Sequence, residues 1–323
     1  MSNDLILHNQ NEQKEISFSN APVLIAAWPG LGNVALMAAD HIRKKTDAKV
    51  YGSIDLRPFF IPPAGVVKNG RFLPPEPLVS TLHYKVSPDL LIYESNLEPG
   101  SSREGMFLMQ QLFEVAKKHN VRQILTVSAI PQPVSHTREP KLYFAANSDS
   151  VSEKLKSLGV EPLPAGEIPG PAGILPGMAS GIEAACILVT MPAYAGTTSY
   201  PKASLSVLRL LRELVGFSID LEEVKEGVER MEEQFEIIEE KVREHFPAML
   251  AYEEQENSAE AEEFEQSAPS GPKDDIPAEA REKIEALFRE VARDRSRAVE
   301  LKTELDRWGL FRRFEDRFLD LFR

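Results

Sequence analysis

The sequence predicts an α/β fold: a mixed β-sheet flanked by helices, followed by a C-terminal helical extension. Three observations predict it. Across residues 21–219, short apolar runs alternate with amphipathic stretches at helical spacing. The first of these runs breaks into Trp28-Pro29-Gly30-Leu31-Gly32-Asn33, a Pro/Gly turn of the kind that joins a strand to a helix. Beyond residue 220 the apolar residues recur every three or four positions with Glu between them.

In chain order, strands are expected at Val23–Trp28, Val50–Asp55, Leu78–Tyr84, Leu90–Glu94, Gln123–Ser128 and Ala184–Met191. Helices are expected at Val34–Lys45, Arg103–His119, Ser150–Leu158, Gly173–Ser180 and Pro201–Val215. Two stretches interrupt a plain βαβ alternation. Asn69-Gly70, inside the run from Phe59 to Phe72, is a hairpin signal, and Pro131–Ala146 reads as extended and Pro-rich. Both favour a mixed sheet over a purely parallel one.

From Leu221 the residues Leu221, Val224, Val228, Met231, Phe235, Ile238 and Val242 follow a 3-4 spacing. Such a seam docks a helix on its own domain or on another subunit. Glu253–Asp275 then holds nine acids against one lysine, a composition that cannot bury enough apolar surface to offset its ordering entropy. Past it, Ile284, Leu287, Val291, Ala298, Leu301, Leu305 and Trp308 resume the heptad, with Asp294 breaking one seam position. The expected organisation is a polar segment at 1–20, an α/β core at 21–219 and an acidic amphipathic helix at 220–250. A disordered acidic linker at 251–279 and a helical docking segment at 280–323 complete it.

The chain has 323 residues and a net charge of −13, so nucleic acid and anionic membrane surfaces are repelled. No apolar stretch reaches the ~18 residues a membrane span needs. The N-terminal twenty residues lack a basic region followed by an apolar one, so no secretory signal is read there. The single cysteine, Cys186, sits in an apolar run and reads as a small buried hydrophobe. A cytoplasmic protein is expected. The six histidines are scattered and form no i,i+4 pair, so no metal site is expected.

Gly30-Leu31-Gly32-Asn33-Val34-Ala35 satisfies the dinucleotide pattern G-x-G-x-x-A, and Asp55 follows about twenty residues later, as a ribose-binding acid would. Against that reading, the turn begins Trp-Pro-Gly and Asp55 leads into Pro-rich extended sequence. No Walker lysine and no G-x-S-x-G elbow is present. Gly30, Gly32, Asn33, Glu94, His136 and Arg138 together mark a ligand crevice without a readable catalytic set: Glu94 ends a strand, and His136-Thr137-Arg138 either positions an anion or tethers its loop. No cofactor is expected.

Several separated motifs resemble the proteasome assembly chaperone 2 family. They are the strand into Trp28-Pro29-Gly30-Leu31-Gly32-Asn33, Leu90–Glu94 with its polar turn, and His136-Thr137-Arg138-Glu139-Pro140. Gly173-Ile174-Leu175-Pro176 leads on to Ala184–Met191 and Pro192-Ala193-Tyr194. Pro201-Lys202-Ala203 then opens a Leu-rich helix that ends at Gly216 before the acidic helix. Together they cover roughly residues 21–245. The resemblance implies a nucleoside phosphorylase/hydrolase-like architecture used as a homo-oligomeric, non-enzymatic scaffold, with proteasome α-subunits or another protein as client. It also implies docking by a C-terminal hydrophobic-tyrosine-any-residue motif. Here Leu321 and Arg323 fit, and Phe322 departs by lacking the phenolic hydroxyl. The aromatic anchors of that segment would be Trp308, Phe311, Phe314, Phe318 and Phe322. The rival reading is a small-molecule enzyme using the Gly30–Asn33 turn, either nucleoside phosphorylase/hydrolase-like or a nicotinamide-dependent oxidoreductase.

Overall fold

The structure, a computed structural model, describes residues 16–56, 65, 67–74, 78–99 and 103–245, and residues 284, 286–288, 291 and 301. The chain divides into two compact units, Met1–Glu260 and Ala261–Arg323.

The first unit opens with β1 (Val23–Ala27), α1 (Val34–Lys45) and β2 (Lys49–Asp55), then a small hairpin of β3 (Val67–Lys68) and β4 (Arg71–Phe72). There follow β5 (Val79–Lys85), β6 (Leu90–Ser95), α2 (Arg103–Lys118), β7 (Gln123–Gln132), β8 (Leu142–Ala146) and α3 (Asp149–Ser157). The rest is β9 (Glu161–Pro162), α4 (Pro171–Met178), β10 (Glu183–Pro192), α5 (Pro201–Val215) and α6 (Glu222–His245). Eight strands form one sheet in the order β2-β5-β6-β1-β7-β10-β8-β9. Its centre, β6-β1-β7-β10, is parallel, while β5, β2 and β8 join antiparallel, so the sheet is mixed as expected. The turn between Lys85 and Leu90 is too short for a crossover, which forces β5 and β6 to run antiparallel.

All five residues of β1 are buried, because helices cover both sheet faces. Val23, Ile25 and Ala27 face α1, α3, α5 and α6, whereas Leu24 and Ala26 face α2 and α4. Helix boundaries follow local chemistry. Ser148 caps α3 by accepting the Val151 N–H, one residue ahead of the expected range. Pro171 at the first turn starts α4 two residues earlier than expected. Gly216, at φ 84°, ends α5. Asn69 and Gly70 both take positive φ, as the β3–β4 turn requires. β7 and β10 run longer than expected because they pair with each other over their full lengths, and β9 was not anticipated.

Leu221 and Phe235 of the acidic-helix seam are buried in the core cluster, with Val224, Val228, Met231 and Ile238 packed against it. The seam therefore docks α6 on its own domain. In the second unit the described residues are helical, and Ile284, Leu287, Phe288, Val291 and Leu301 are buried. The linker 251–279, most of the segment 280–323 with its aromatic anchors, and most of residues 1–20 lie outside the described residues. No helix among the described residues is long and apolar enough to cross a membrane.

Candidate functional site

The glycine turn follows β1 at the centre of the sheet. Gly32 takes φ 62°, and a Cβ there would sit 2.9 Å from Met191 Cε and 3.1 Å from Tyr200 Cβ. Glycine is required on both counts. Three successive amides of the turn are already engaged. Gly32 N–H donates to Gly196 O at 3.1 Å and Asn33 N–H to Gly30 O at 3.0 Å, while the Val34 N–H bonds to Leu31 O. Tyr200 N–H in turn donates to Gly32 O at 2.8 Å. The turn is a packing joint between β1 and the start of α5. Gly30 differs: its backbone is extended and a Cβ would meet nothing within 4 Å. The dinucleotide pattern also fails in topology. Asp55 ends β2, which is separated from β1 by β5 and β6, so it stands at the sheet edge and not beside the turn.

Glu94, at the end of β6, meets Arg43 of α1. Arg43 Nε donates to Glu94 Oε2 at 2.7 Å, and Arg43 also pairs with Asp40, which takes Lys44 at 2.7 Å. His83 Nδ1, from β5, lies 3.3 Å from Glu94 Oε2 but is not aligned for a hydrogen bond. Burial, and then the Arg43 charge, hold the His83 imidazole down to about 4. It is neutral at pH 7, so this contact is not an ion pair. Burial raises the Glu94 carboxyl above the usual range against the pull of Arg43. These groups line an open cleft of about 510 Å³ between α1 and β5–β6, with Asn33 also in its lining.

A second cluster lies under α6. Burial would raise the Glu239 carboxyl, but it is held down to about 2 by hydrogen bonds from Tyr194, Ser135 and His136. Its Oε2 accepts from Tyr194 Oη at 2.6 Å, Ser135 Oγ at 2.8 Å, His136 Nδ1 at 2.6 Å and His136 N–H at 3.1 Å. Arg243 donates to Oε1 at 2.9 Å. Burial, then the bond to Glu239, raises the Tyr194 hydroxyl. The His136 ring stacks on Phe235, which meets Tyr200 edge-on. Lys202 Nζ donates to the carbonyls of His136 and Thr137. The void left here is about 10 Å³, room for a single water. The cluster is a latch that fastens α6 to the loop after β7.

The sequence-derived crevice residues thus separate. Asn33 and Glu94 share the α1–β5 cleft, Gly32 is packed against Met191 and Tyr200, Gly30 is exposed, and His136 belongs to the latch. Arg138 is half-buried and its N–H bonds to Ser135 O, closing the loop that carries His136. Sequence reasoning missed Arg43, His83, Tyr194 and Glu239. Only Glu239 had a signal: it follows Phe235 by four residues and so shares the buried face of α6. Among the described residues no group of His, Cys, Asp and Glu is placed to hold a metal.

Fold and sites together define an open α/β domain whose switch-point turn is closed by its own chain and whose last helix is latched onto the core. The chain belongs to the PAC2 family, whose model matches residues 24–239. Pyrococcus furiosus PbaA, an archaeal homolog of proteasome-assembly chaperone, is 24% identical over 71% of this chain and 96% of its own, with a TM-score of 0.54. P. furiosus PbaB, an archaeal proteasome activator, is 23% identical over 70% and 96%, with a TM-score of 0.60. A Mycobacterium tuberculosis proteasome-assembly chaperone homologue is 20% identical over 69% and 95%, with a TM-score of 0.54. At these identities the likeness is one of fold. A comparison with curated proteins gave no match.

Proposed function

We propose that the chain is a cytoplasmic, non-enzymatic, homo-oligomeric scaffold or chaperone for protein assembly. Its client would be proteasome α-subunits or another protein; PbaA, a homolog of proteasome-assembly chaperone, and PbaB, a proteasome activator, support a proteasome-related one. In this reading the core self-associates and the segment 280–323, tethered by the acidic linker 251–279, docks on the client through Trp308, Phe311, Phe314, Phe318, Leu321, Phe322 and Arg323. The observation that carries the reading is the glycine turn: in a PAC2-family chain its Gly32, Asn33 and Val34 amides are engaged by carbonyls of the same chain and its Gly32 is wedged between side chains. A metabolite cradle needs those amides free.

Affinity capture from the native host, with and without residues 280–323, tests it. Proteasome α-subunits retained by the full chain and lost from the truncated one support the reading; equal capture by both removes the docking role. NAD(P)H, or nucleosides with phosphate, should give neither turnover nor binding heat that Gly32→Asp abolishes.

A further inference from the structure

The β3–β4 hairpin has two faces, and neither is covered. In its register Val67 stands opposite Phe72 and Lys68 opposite Arg71, so the apolar pair lies on one face and the two cations on the other. Phe72 is 81% exposed and Val67 54%, and Leu73 beside them is exposed as well. The described residues of this stretch, 65 and 67–74, carry two positive charges and no acid, in a chain whose net charge is −13. A lone two-stranded ribbon is marginal in water, and like charges directly opposite each other weaken it further. What completes such an element is a surface that offers an apolar contact among acids.

The outer face of α6 is such a surface. Ile237 is 57% exposed there, on the side of the helix away from Phe235 and Glu239, which hold α6 to the core. Glu233, Glu240 and Glu244 share its face and Glu236 flanks it, all four exposed. The cations of that face are Lys241 and, two turns back, Arg230, which already pairs with Glu226. Over the whole helix, 222–245, ten acids stand against four Lys and Arg, so the surplus is acidic. The hairpin springs from between β2 and β5, at one edge of the sheet. This end of α6 is tied to the loop after β7, with β6 and β1 between β5 and β7.

We infer that copies of this chain bind one another through these two surfaces. The hairpin of one protomer lays Phe72 and Val67 on Ile237 of a second copy, and Lys68 and Arg71 reach round the ribbon on their long stems to the flanking glutamates. The inference rests on the homo-oligomeric reading above and names the surfaces that reading needs. Two different patches meet, so the contact either runs head-to-tail round a ring or is made twice about a twofold axis.

Native mass spectrometry and analytical ultracentrifugation of the full chain at micromolar concentration test it, with circular dichroism checking the fold of each variant. The unaltered chain should be oligomeric, and Phe72→Ser should weaken self-association about tenfold or more. Reversing the hairpin charges (Lys68→Glu with Arg71→Glu) or those of the helix (Glu233→Lys with Glu240→Lys) should each weaken it similarly. All four reversals in one chain should restore it, a result that keeps the test decisive if Phe72→Ser fails to fold. A monomeric unaltered chain would overturn both this contact and the homo-oligomeric reading. An oligomer that no folded variant shifts, or reversals that weaken it without rescue in the combined chain, would overturn the contact alone. Hairpin variants of unchanged mass that no longer capture proteasome α-subunits would assign the hairpin to the client and overturn the contact while sparing the scaffold.

Discussion

Replacing Glu239 by alanine should unfasten α6. The carboxylate accepts four hydrogen bonds on one oxygen and an Arg243 contact on the other, and it is buried. Removing it leaves Ser135, His136 and Tyr194 as donors without their acceptor, a loss of about 3–5 kcal/mol for a broken buried pair. Against it α6 has one fully buried apolar anchor, Phe235, and a half-buried seam. At about 1.4 kcal/mol per decade, amide exchange across 222–245 should accelerate by roughly two to three orders of magnitude. Glu239→Gln, which keeps an acceptor but no charge, should lose about 1–3 kcal/mol. Acid should mimic the alanine variant. The Glu239 carboxyl sits at about 2 in the fold against 4.5 unperturbed, so its stabilisation is present above pH 4.5 and lost as pH falls toward 2. The full shift corresponds to about 3 kcal/mol, which screening at a helix with one solvent face reduces to roughly 1–2. Hydrogen exchange resolved by mass spectrometry reads both. Unchanged protection of 222–245 in the alanine variant would refute the latch.

Other outcomes follow from the same geometry. Gly32→Ala should cost roughly 2–4 kcal/mol from positive φ and the Met191 and Tyr200 contacts, whereas Gly30→Ala should stay within about 0.5 kcal/mol in urea melts. Equal effects of the two would mean that packing does not set the glycine requirement. His83 is neutral in the fold with its imidazole at about 4, so stability should fall as pH drops from 6.5 to about 4, with a slope of at most ~1.4 kcal/mol per unit. His83→Asn should flatten that slope, and identical pH profiles would exclude His83 as its source.

Much of the fold was legible because its signals are local. Apolar runs marked β1, β6, β7 and β10, the 3-4 spacing marked α6, and Asn69-Gly70 marked the small hairpin. Sheet order was not legible, because nothing in Lys49–Asp55 says that it pairs with β5 and not with β1. That one pairing separates Asp55 from the glycine turn and turns an apparent dinucleotide fingerprint into a packing joint. The clusters around Glu94 and Glu239 were invisible for a related reason. Arg43 and His83 reach Glu94 from separate elements, and Ser135 meets Glu239 across 104 positions of sequence. Glu239 is also one glutamate among many on a helix whose other acids are mostly exposed.

The sharpest test mixes the intact protein with purified proteasome α-subunits and weighs the complexes by native mass spectrometry, beside the form lacking 280–323. A stoichiometric assembly from the intact protein alone is the expected result. No assembly from either form, or the same one from both, would contradict a scaffold that docks its client by the terminal segment.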